Sequence, residues 1–239
     1  MASPLGPGPL VYGHRGAAAH APENTIAAFL LALEQGAAGV EFDVRRSRDG
    51  ALIVHHDDRH PAVGRFADRD LAEIRDALPD LPTLEEVLDA VPGFLDVEIK
   101  NDIFEAGFDR RRRIVDQVVA ALRRAGVVSR CLVSSFDPLT VRRVRELAPE
   151  LLTGQLLTEW IDPLEVLPWI ARDGHDALHL PHSRLEADRA SRVVAAAAAR
   201  GLAVVAWTVD DPAEARRLAD AGVTAVITND PAAIVPALA

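Results

Sequence analysis

Two rhythms of apolar and polar positions alternate along the chain. Short apolar runs predict strands over Leu10–Gly13, Gly39–Arg45, Ala51–His55, Phe94–Ile99, Arg130–Ser134, Leu152–Leu156, Ala177–Leu180, Leu202–Trp207 and Ala225–Thr228. Between them the spacing is helical, near Thr25–Gln35, Leu84–Ala90, Arg110–Ala125, Pro138–Ala148, Pro163–Arg172, Glu186–Arg200, Pro212–Ala221 and Pro231–Leu238. The run Ala51–His55 follows the turn Asp49-Gly50, so it is read as extending or pairing back on the second strand. Eight strand–helix units in 239 residues predict a single-domain α/β protein over 1–239, a closed (β/α)8 TIM barrel. The competing fold is an open doubly wound sheet. Its Gly-x-Gly-x-x-Gly fingerprint after the first strand is absent, since Gly13-His14-Arg15-Gly16 is a different pattern.

Helix starts in the second half share one device. Asp137-Pro138, Asp162-Pro163, Asp211-Pro212 and Asp230-Pro231 each place a capping acid before a proline that has no N–H to lose. Thr83 and Glu86 have the spacing of a capping box, and Asn24 or Thr25 caps the first helix. No linker divides the chain, and Ala195–Ala199 reads as helix interior.

Composition narrows the function classes. The residues are 49% hydrophobic, yet no window approaches the ~20 continuous apolar residues of a membrane span, so no stable membrane insertion is expected. A formal charge of −10 disfavours nucleic acid and anionic surfaces. The single cysteine, Cys131, excludes an internal disulfide and cysteine-based zinc sites, and its apolar run makes it a buried strand residue. The segment Met1–Pro9 has neither a basic nor an apolar region of a secretory signal, so a cytoplasmic location is expected. Arg110–Arg113 opens a helical pattern and reads as a solvated face.

The chemistry concentrates where apolar runs end. Gly13-His14-Arg15-Gly16, Glu41-Phe42-Asp43, His56-Asp57 and Glu98-Ile99-Lys100 each sit there, which in a parallel α/β protein is the ligand-binding rim. Strand side chains alternate, so Glu41 and Asp43 share one face while Val40, Phe42 and Val44 share the other. Two inward carboxylates repel unless a cation lies between them, and Glu98 completes a three-carboxylate set. All-oxygen ligands suit Mg2+ or Ca2+. An ion-pair cluster with Arg15, Arg45 or Lys100 is the alternative use of these acids. Lys100 is the only lysine, a compact ammonium in a chain otherwise committed to arginine. Only one of His55 and His56 can face the mouth, and Asp57 is placed to orient His56. His20, His60, His175, His179 and His182 are assigned surface or structural places, with His179 near a strand end. Trp207 ends a strand, where it packs in the core or stacks on substrate, and Glu23 supports the site from behind.

Taken together, the chain resembles the glycerophosphodiester phosphodiesterase family from Gly13 to Pro231. The likeness rests on His14-Arg15-Gly16, Pro22-Glu23-Asn24-Thr25, Glu41-x-Asp43 and Val54-x-His56-Asp57. Pro82-Thr83-Leu84, Glu98-Ile99-Lys100, Ser134-Ser135-Phe136, Trp207-Thr208-Val209 and Thr228-Asn229-Asp230-Pro231 add to it. The resemblance implies a (β/α)8 barrel that hydrolyses small-molecule glycerophosphodiesters to sn-glycerol 3-phosphate and an alcohol. It implies one divalent cation, Mg2+ or Ca2+, on carboxylates matching Glu41, Asp43 and Glu98. His14 and His56 match the general acid–base pair, Arg15 and Lys100 the phosphate contacts, and Trp207 the aromatic at the mouth. Attack by the glycerol 2-hydroxyl through a cyclic phosphate and direct attack by water both fit those residues. Phosphate scavenging, glycerol metabolism and phospholipid turnover are equally compatible.

Two departures stand out. The stretch from His56 to Glu98 is short for the family, so the cap over about 57–82 is expected to hold little beyond a helix near Leu71–Ala77. Asp210 stands where the family more often has Asn, and is read as a second helix cap or as a barrier to anionic head groups. The competing functions are a lysophospholipase D-like enzyme and a catalytically silent phosphoester-binding protein. No basic amphipathic helix favours the first, although an exposed apolar lip at the mouth would.

Overall fold

The computed structural model describes Leu5, Gly6 and residues 8–105, 107–186 and 188–239. The chain opens with β1 (Leu10–His14), α1 (Ile26–Glu34) and β2 (Gly39–Arg46). An excursion follows through β3 (Leu52–Val54), the hairpin β4 (Arg59–His60) and β5 (Gly64–Arg65), and α2 (Leu71–Ala77). The rhythm then becomes regular, with α3 (Leu84–Ala90), β6 (Phe94–Ile99), α4 (Arg113–Ala125), β7 (Cys131–Ser135) and α5 (Pro138–Leu147). It continues through β8 (Leu152–Leu156), α6 (Pro163–Arg172), β9 (Ala177–Pro181), α7 (Asp188–Ala198), β10 (Ala203–Trp207), α8 (Pro212–Asp220), β11 (Ala225–Thr228) and α9 (Pro231–Leu238).

Strands β1, β2 and β6 to β11 pair in parallel, and β1 joins both β2 and β11, so the sheet closes as an eight-stranded barrel. The predicted (β/α)8 fold is therefore present. The extra strand β3 lies antiparallel on β2, with Val44 opposite Val54, as the turn at Asp49-Gly50 implies. The alternation of strand side chains builds two compartments. Outward residues such as Val40, Phe42, Leu95 and Val133 pack under the helices with Phe29, Leu84 and Leu122. A second outer cluster joins Leu178, Leu180, Val204 and Val226 to α6–α9. Each such side chain contributes roughly 1.5–3 kcal/mol on burial, which makes these outer layers the main stabilising element. Inside the barrel, Tyr12, Leu132, Ala177, Val205 and Ile227 form an apolar plug, with Tyr12 stacked on Phe94 at 5.3 Å.

The capping signals behave as read. Asp137, Asp162, Asp211 and Asp230 each accept a backbone N–H from the first turn of the following helix. Thr25 caps α1, and Thr83 with Glu86 forms a capping box on α3. Two boundaries differ. The helix predicted from Arg110 begins at Arg113, because Arg112 takes a left-handed φ of 50° and pairs with Asp137 at 2.9 Å. Its neighbours Arg110 and Arg111 are therefore loop residues rather than a helical face. The helix predicted over Glu186–Arg200 is seen at Asp188–Ala198, and Ala187 lies outside the described residues, as do Met1–Pro4 and Pro7 of the N-terminal segment. The excursion over 57–82 holds more than the expected helix. Besides α2 it carries the β4–β5 hairpin and a small core of Ile53, Val63, Phe66, Ile74 and Leu81. Strands of two residues leave no alternation to read.

Candidate active site

The site forms at the C-terminal rim of β1, β2 and β6, where register sets neighbours side by side. His14 lies opposite Glu41, and Asp43 opposite Glu98. All four point inward, above the apolar plug. One ligand oxygen from each of Glu41, Asp43 and Glu98 lies within 4.8 Å of the others, and all three residues are buried. Lys100 Nζ sits 3.0 Å from Asp43 Oδ1 and 2.7 Å from Glu98 Oε1. Arg15 Nε lies 3.4 Å from Asp43 Oδ2, and the Asn24 amide donates to the same oxygen at 2.8 Å.

These partners divide the acids. Burial raises Asp43, but Lys100, Arg15 and the Asn24 hydrogen bond outweigh it and hold the carboxyl down to about 2. Glu41 makes no ion pair with lysine or arginine among the described residues, and Lys100 offsets its burial only in part. Burial first, then the charges of Asp43 and Glu98, push it well above the usual carboxylate range. Glu98 is also raised, chiefly by burial. A divalent cation among these oxygens would remove the repulsion and stabilise Glu41 as a carboxylate. The donor set, three buried carboxylates, fits a hard cation.

The β1–α1 loop is bent tightly around this cluster. Arg15 and Asn24 take positive φ values of 54° and 57°, unusual for residues with side chains. Arg15 N–H donates to the Glu41 main chain at 2.9 Å, and Asn24 N–H donates to the Arg15 carbonyl at 3.0 Å. Gly16, at φ 90°, passes so close to Ala28 that a Cβ there would lie 2.5 Å from its backbone. Glu23 receives Arg15 Nη1 on both carboxylate oxygens, at 2.9 and 3.0 Å, and so aims the guanidinium at the site.

The two histidines are backed differently. His14 Nδ1 lies 2.8 Å from Asn229 Oδ1, and its Nε2 lies 4.0 Å from Glu41 Oε2. Burial and nearby Arg15 lower its pKa. His56 Nδ1 lies 2.8 Å from Asp57 Oδ1, and this hydrogen bond holds the Asp57 carboxyl below its ordinary range. His55 turns away and packs on Phe66, with ring centroids 4.8 Å apart. Arg45 stands apart from the acid cluster. Its guanidinium donates to the His56 carbonyl and pairs with Glu105, so it anchors the backbone under His56.

Two cavities meet here. One of about 210 Å³ occupies the mouth and is lined by His14, Arg15, Lys100, Trp207 and His179. A wider cleft of about 640 Å³ shares His56, Glu98 and Lys100 and runs outward past Phe136 to Phe104. Trp207 meets Phe136 edge-on at 5.8 Å, packs on the apolar plug below and lines the mouth above.

Every residue singled out from the sequence for the rim therefore comes together. Sequence reasoning missed the supports. Asn24 binds Asp43 and is not a helix cap. Asn229 backs His14. Asp210 neither caps a helix nor faces the acid cluster. It accepts from Thr228 Oγ1 and from both the main-chain and side-chain N–H of Asn229, while Asp211 caps α8. His179 lies beneath the site, 2.8 Å from Asp96 Oδ2 and almost wholly buried, in space left open by Gly154. Asp96 in turn accepts from Ser134. Only the position of His179 near a strand end hinted at this.

Three buried carboxylates with ligand oxygens within 4.8 Å of one another, with two histidines and two cations at the mouth of a (β/α)8 barrel, are parts suited to a phosphodiester hydrolase. The sequence profile of the Glycerophosphoryl diester phosphodiesterase family matches residues 14–233, and the chain belongs to that family. It is 31% identical over 247 residues to a glycerophosphodiester phosphodiesterase of Caldanaerobacter subterraneus subsp. tengcongensis, covering 95% of this chain and 96% of the relative. Among solved structures, a glycerophosphodiester phosphodiesterase of Thermotoga maritima superposes with a TM-score of 0.82 at 26% identity, covering 96% of this chain and 98% of the other. A phosphodiesterase of Oleispira antarctica, solved with the product sn-glycerol-3-phosphate, has the same TM-score and identity and covers 96% of each chain.

Proposed function

We propose that this protein hydrolyses glycerophosphodiesters to sn-glycerol 3-phosphate and an alcohol, using one divalent cation, Mg2+ or Ca2+, and a histidine acid–base pair. The observation that carries the reading is the arrangement of Glu41, Asp43 and Glu98 within 4.8 Å of one another, between His14 and the Lys100 ammonium. When bound, the cation supplies Lewis-acid stabilisation of charge on the phosphoryl oxygens. Arg15 and Lys100 face the same mouth and neutralise a non-bridging oxygen as charge grows there. His14 is the base. Its ring is backed by a neutral amide and kept uncharged by burial, so Nε2 accepts the proton of the attacking oxygen. His56 is the acid. The Asp57 carboxylate behind it compensates a positive ring, which gives its proton to the departing alkoxide. Trp207 and Phe136 form an aromatic wall for the bound diester. The substrate is a small polar molecule, which suits a cytoplasmic enzyme with no nucleic-acid partner.

The test is release of glycerol 3-phosphate from glycerophosphocholine, glycerophosphoethanolamine, glycerophosphoglycerol and glycerophosphoinositol. Each is run with Mg2+, with Ca2+ and with chelator. Metal-dependent release that His14→Ala and His56→Ala both lose is the expected result. Release that survives chelation or either substitution rejects the mechanism, and tight binding without turnover favours a silent binding protein.

One observation supports a second reading, lysophospholipase D-like action. Among the described residues the exposed large hydrophobics are Ile103, Phe104, Leu139, Trp160 and Ile161, with Phe104 90% and Trp160 86% accessible. All five follow β6, β7 or β8 on the mouth side. An apolar lip there suits an acyl chain on the substrate. No helix among the described residues is long and apolar enough to cross a membrane. Release of choline from lysophosphatidylcholine at a rate above that from glycerophosphocholine would favour this reading.

A further inference from the structure

We infer that Asp210 is a positioning residue that fixes the tautomer of His14 through Asn229, and so sets His14 to accept a proton at the mouth. The inference rests on the base role proposed for His14.

Asp210 lies beyond β10, and its Oδ1 accepts from Thr228 Oγ1 at 2.9 Å and from Asn229 N–H at 2.8 Å. Its Oδ2 accepts from Asn229 Nδ2 at 2.7 Å. An ionised carboxylate only accepts, and an amide nitrogen only donates. The Asn229 side chain therefore has one permitted orientation, with Nδ2 towards Asp210 and Oδ1 towards His14. That oxygen lies 2.8 Å from His14 Nδ1. An amide oxygen also only accepts, so Nδ1 carries the hydrogen. A neutral imidazole has one N–H, and its lone pair is then on Nε2. Nε2 is the ring atom nearest the acid cluster, 4.0 Å from Glu41 Oε2.

A half-turn of the Asn229 amide would reverse the outcome. Nδ2 would face Nδ1, the ring hydrogen would move to Nε2, and His14 would present a donor where the reaction needs an acceptor. Asn229 is held at a third point, since its carbonyl accepts from Ala19 N–H at 3.0 Å. The peptide is thus fixed to the β1–α1 loop, and the remaining freedom, the amide flip, is removed by Asp210. His56 needs no such relay, because the Asp57 carboxylate touches its Nδ1 directly.

The test uses the full chain labelled with 15N-histidine. Long-range 1H–15N NMR separates Nδ1–H from Nε2–H rings, and the signal lost in His14→Gln assigns His14. The wild type is expected to show Nδ1–H. In Asp210→Asn the Nε2–H form appears, and kcat falls about 10-fold with KM changed less than about 2-fold. The exchange Asp210→Asn with Asn229→Asp puts a carboxylate directly behind His14, returns the hydrogen to Nδ1 and recovers most of kcat. A wild-type His14 with Nε2–H overturns the inference without any variant being needed. Wild-type tautomer and kcat in Asp210→Asn overturn it as well, as does a changed tautomer with unchanged kcat. Failure of the underlying reading looks different, because then His14→Ala itself keeps the wild-type rate.

Discussion

The two ends of the barrel are both rich in charge and are built on opposite rules. At the N-terminal end every prominent cation finds acceptors. Arg145 donates to the Pro149 carbonyl at 2.9 Å and to Thr153 Oγ1 at 2.8 Å, and pairs with Asp176. Arg130 reaches the carbonyls of Gly93 and Leu88, and Arg123 reaches the Leu147 carbonyl and Glu150. Several of these acceptors lie at helix C-termini, where orphan carbonyls and the dipole both favour a cation. At the C-terminal mouth, acids outnumber cations. Glu41 pairs with no lysine or arginine among the described residues, and burial, with the charges of Asp43 and Glu98, pushes its carboxyl up. One end closes its electrostatics and holds the loops together. The other leaves a deficit of positive charge that a metal ion can fill, above an apolar plug that keeps the strands in place. That division is the one expected of a barrel whose chemistry sits on a single face.

The comparison breaks first if the mouth proves structural. His14→Ala is expected to lower kcat about 10²- to 10⁴-fold while the melting temperature stays within a few degrees. Loss of folding with loss of rate would place His14 among the stabilising groups instead. The other end should show the reverse. His175 lies buried beneath β9 with Nδ1 3.1 Å from Thr153 Oγ1, and burial followed by nearby Arg145 lowers its pKa from 6.5 to about 4. The unfolded chain binds this proton more readily than the folded one. Its contribution is therefore complete above pH 6.5 and is lost as pH falls from there towards about 4, by about 3 kcal/mol. Urea denaturation across that window should show the loss, and His175→Gln should flatten it.

Metal binding sharpens the contrast. A cation at 100 times its Kd stabilises the fold by about 2.7 kcal/mol if it binds the native state alone. Mg2+ or Ca2+ should therefore raise the melting temperature of the wild type more than that of Glu41→Gln. Because the folded Glu41 pKa is raised, its contribution is present below the ordinary carboxylate range and lost as pH climbs through the higher value. Asp43 has the opposite sign and matters only as pH falls towards about 2. Compared with Glu41→Gln, metal-free wild type should thus lose stability as pH climbs above the ordinary carboxylate range, and saturating metal should remove that difference. A melting temperature indifferent to metal at every pH would leave the crowded acids without a cation.

Most of the barrel was legible in the sequence because each strand is a short, mostly apolar stretch between helical patterns, and α5, α6, α8 and α9 each begin with Asp-Pro. The rim residues were legible for the same reason, since a strand end fixes where its last side chain sits. What escaped was contact between loops distant in sequence. Asn229 reads as part of a turn until β11 lies beside β1, and Asp210 reads as a cap until Asn229 is opposite it. Asn24 reads as a cap until its left-handed φ turns the amide onto Asp43. His179 needed the absence of a side chain at Gly154, on a neighbouring strand, to reach Asp96.

The smallest effect tests whether the ends are independent. Arg145→Met keeps the apolar stem and removes the guanidinium. Asp176 stays partly solvated and still accepts from Thr153 N–H at 2.8 Å, so the cost is about 1–2 kcal/mol rather than that of a fully buried unpaired charge. The substitution also removes a positive charge that depresses His175, so the acid-side loss of stability should become shallower in the variant. The two changes share a partner and should not add, which a double-mutant cycle with His175→Gln can measure. Activity per folded molecule should be unchanged, because the apolar plug of Tyr12, Leu132 and Val205 lies between this network and the mouth. A fall in kcat together with the stability would mean that strain at the closed end is transmitted through the plug to the carboxylates, and the two ends would have to be treated as one electrostatic unit.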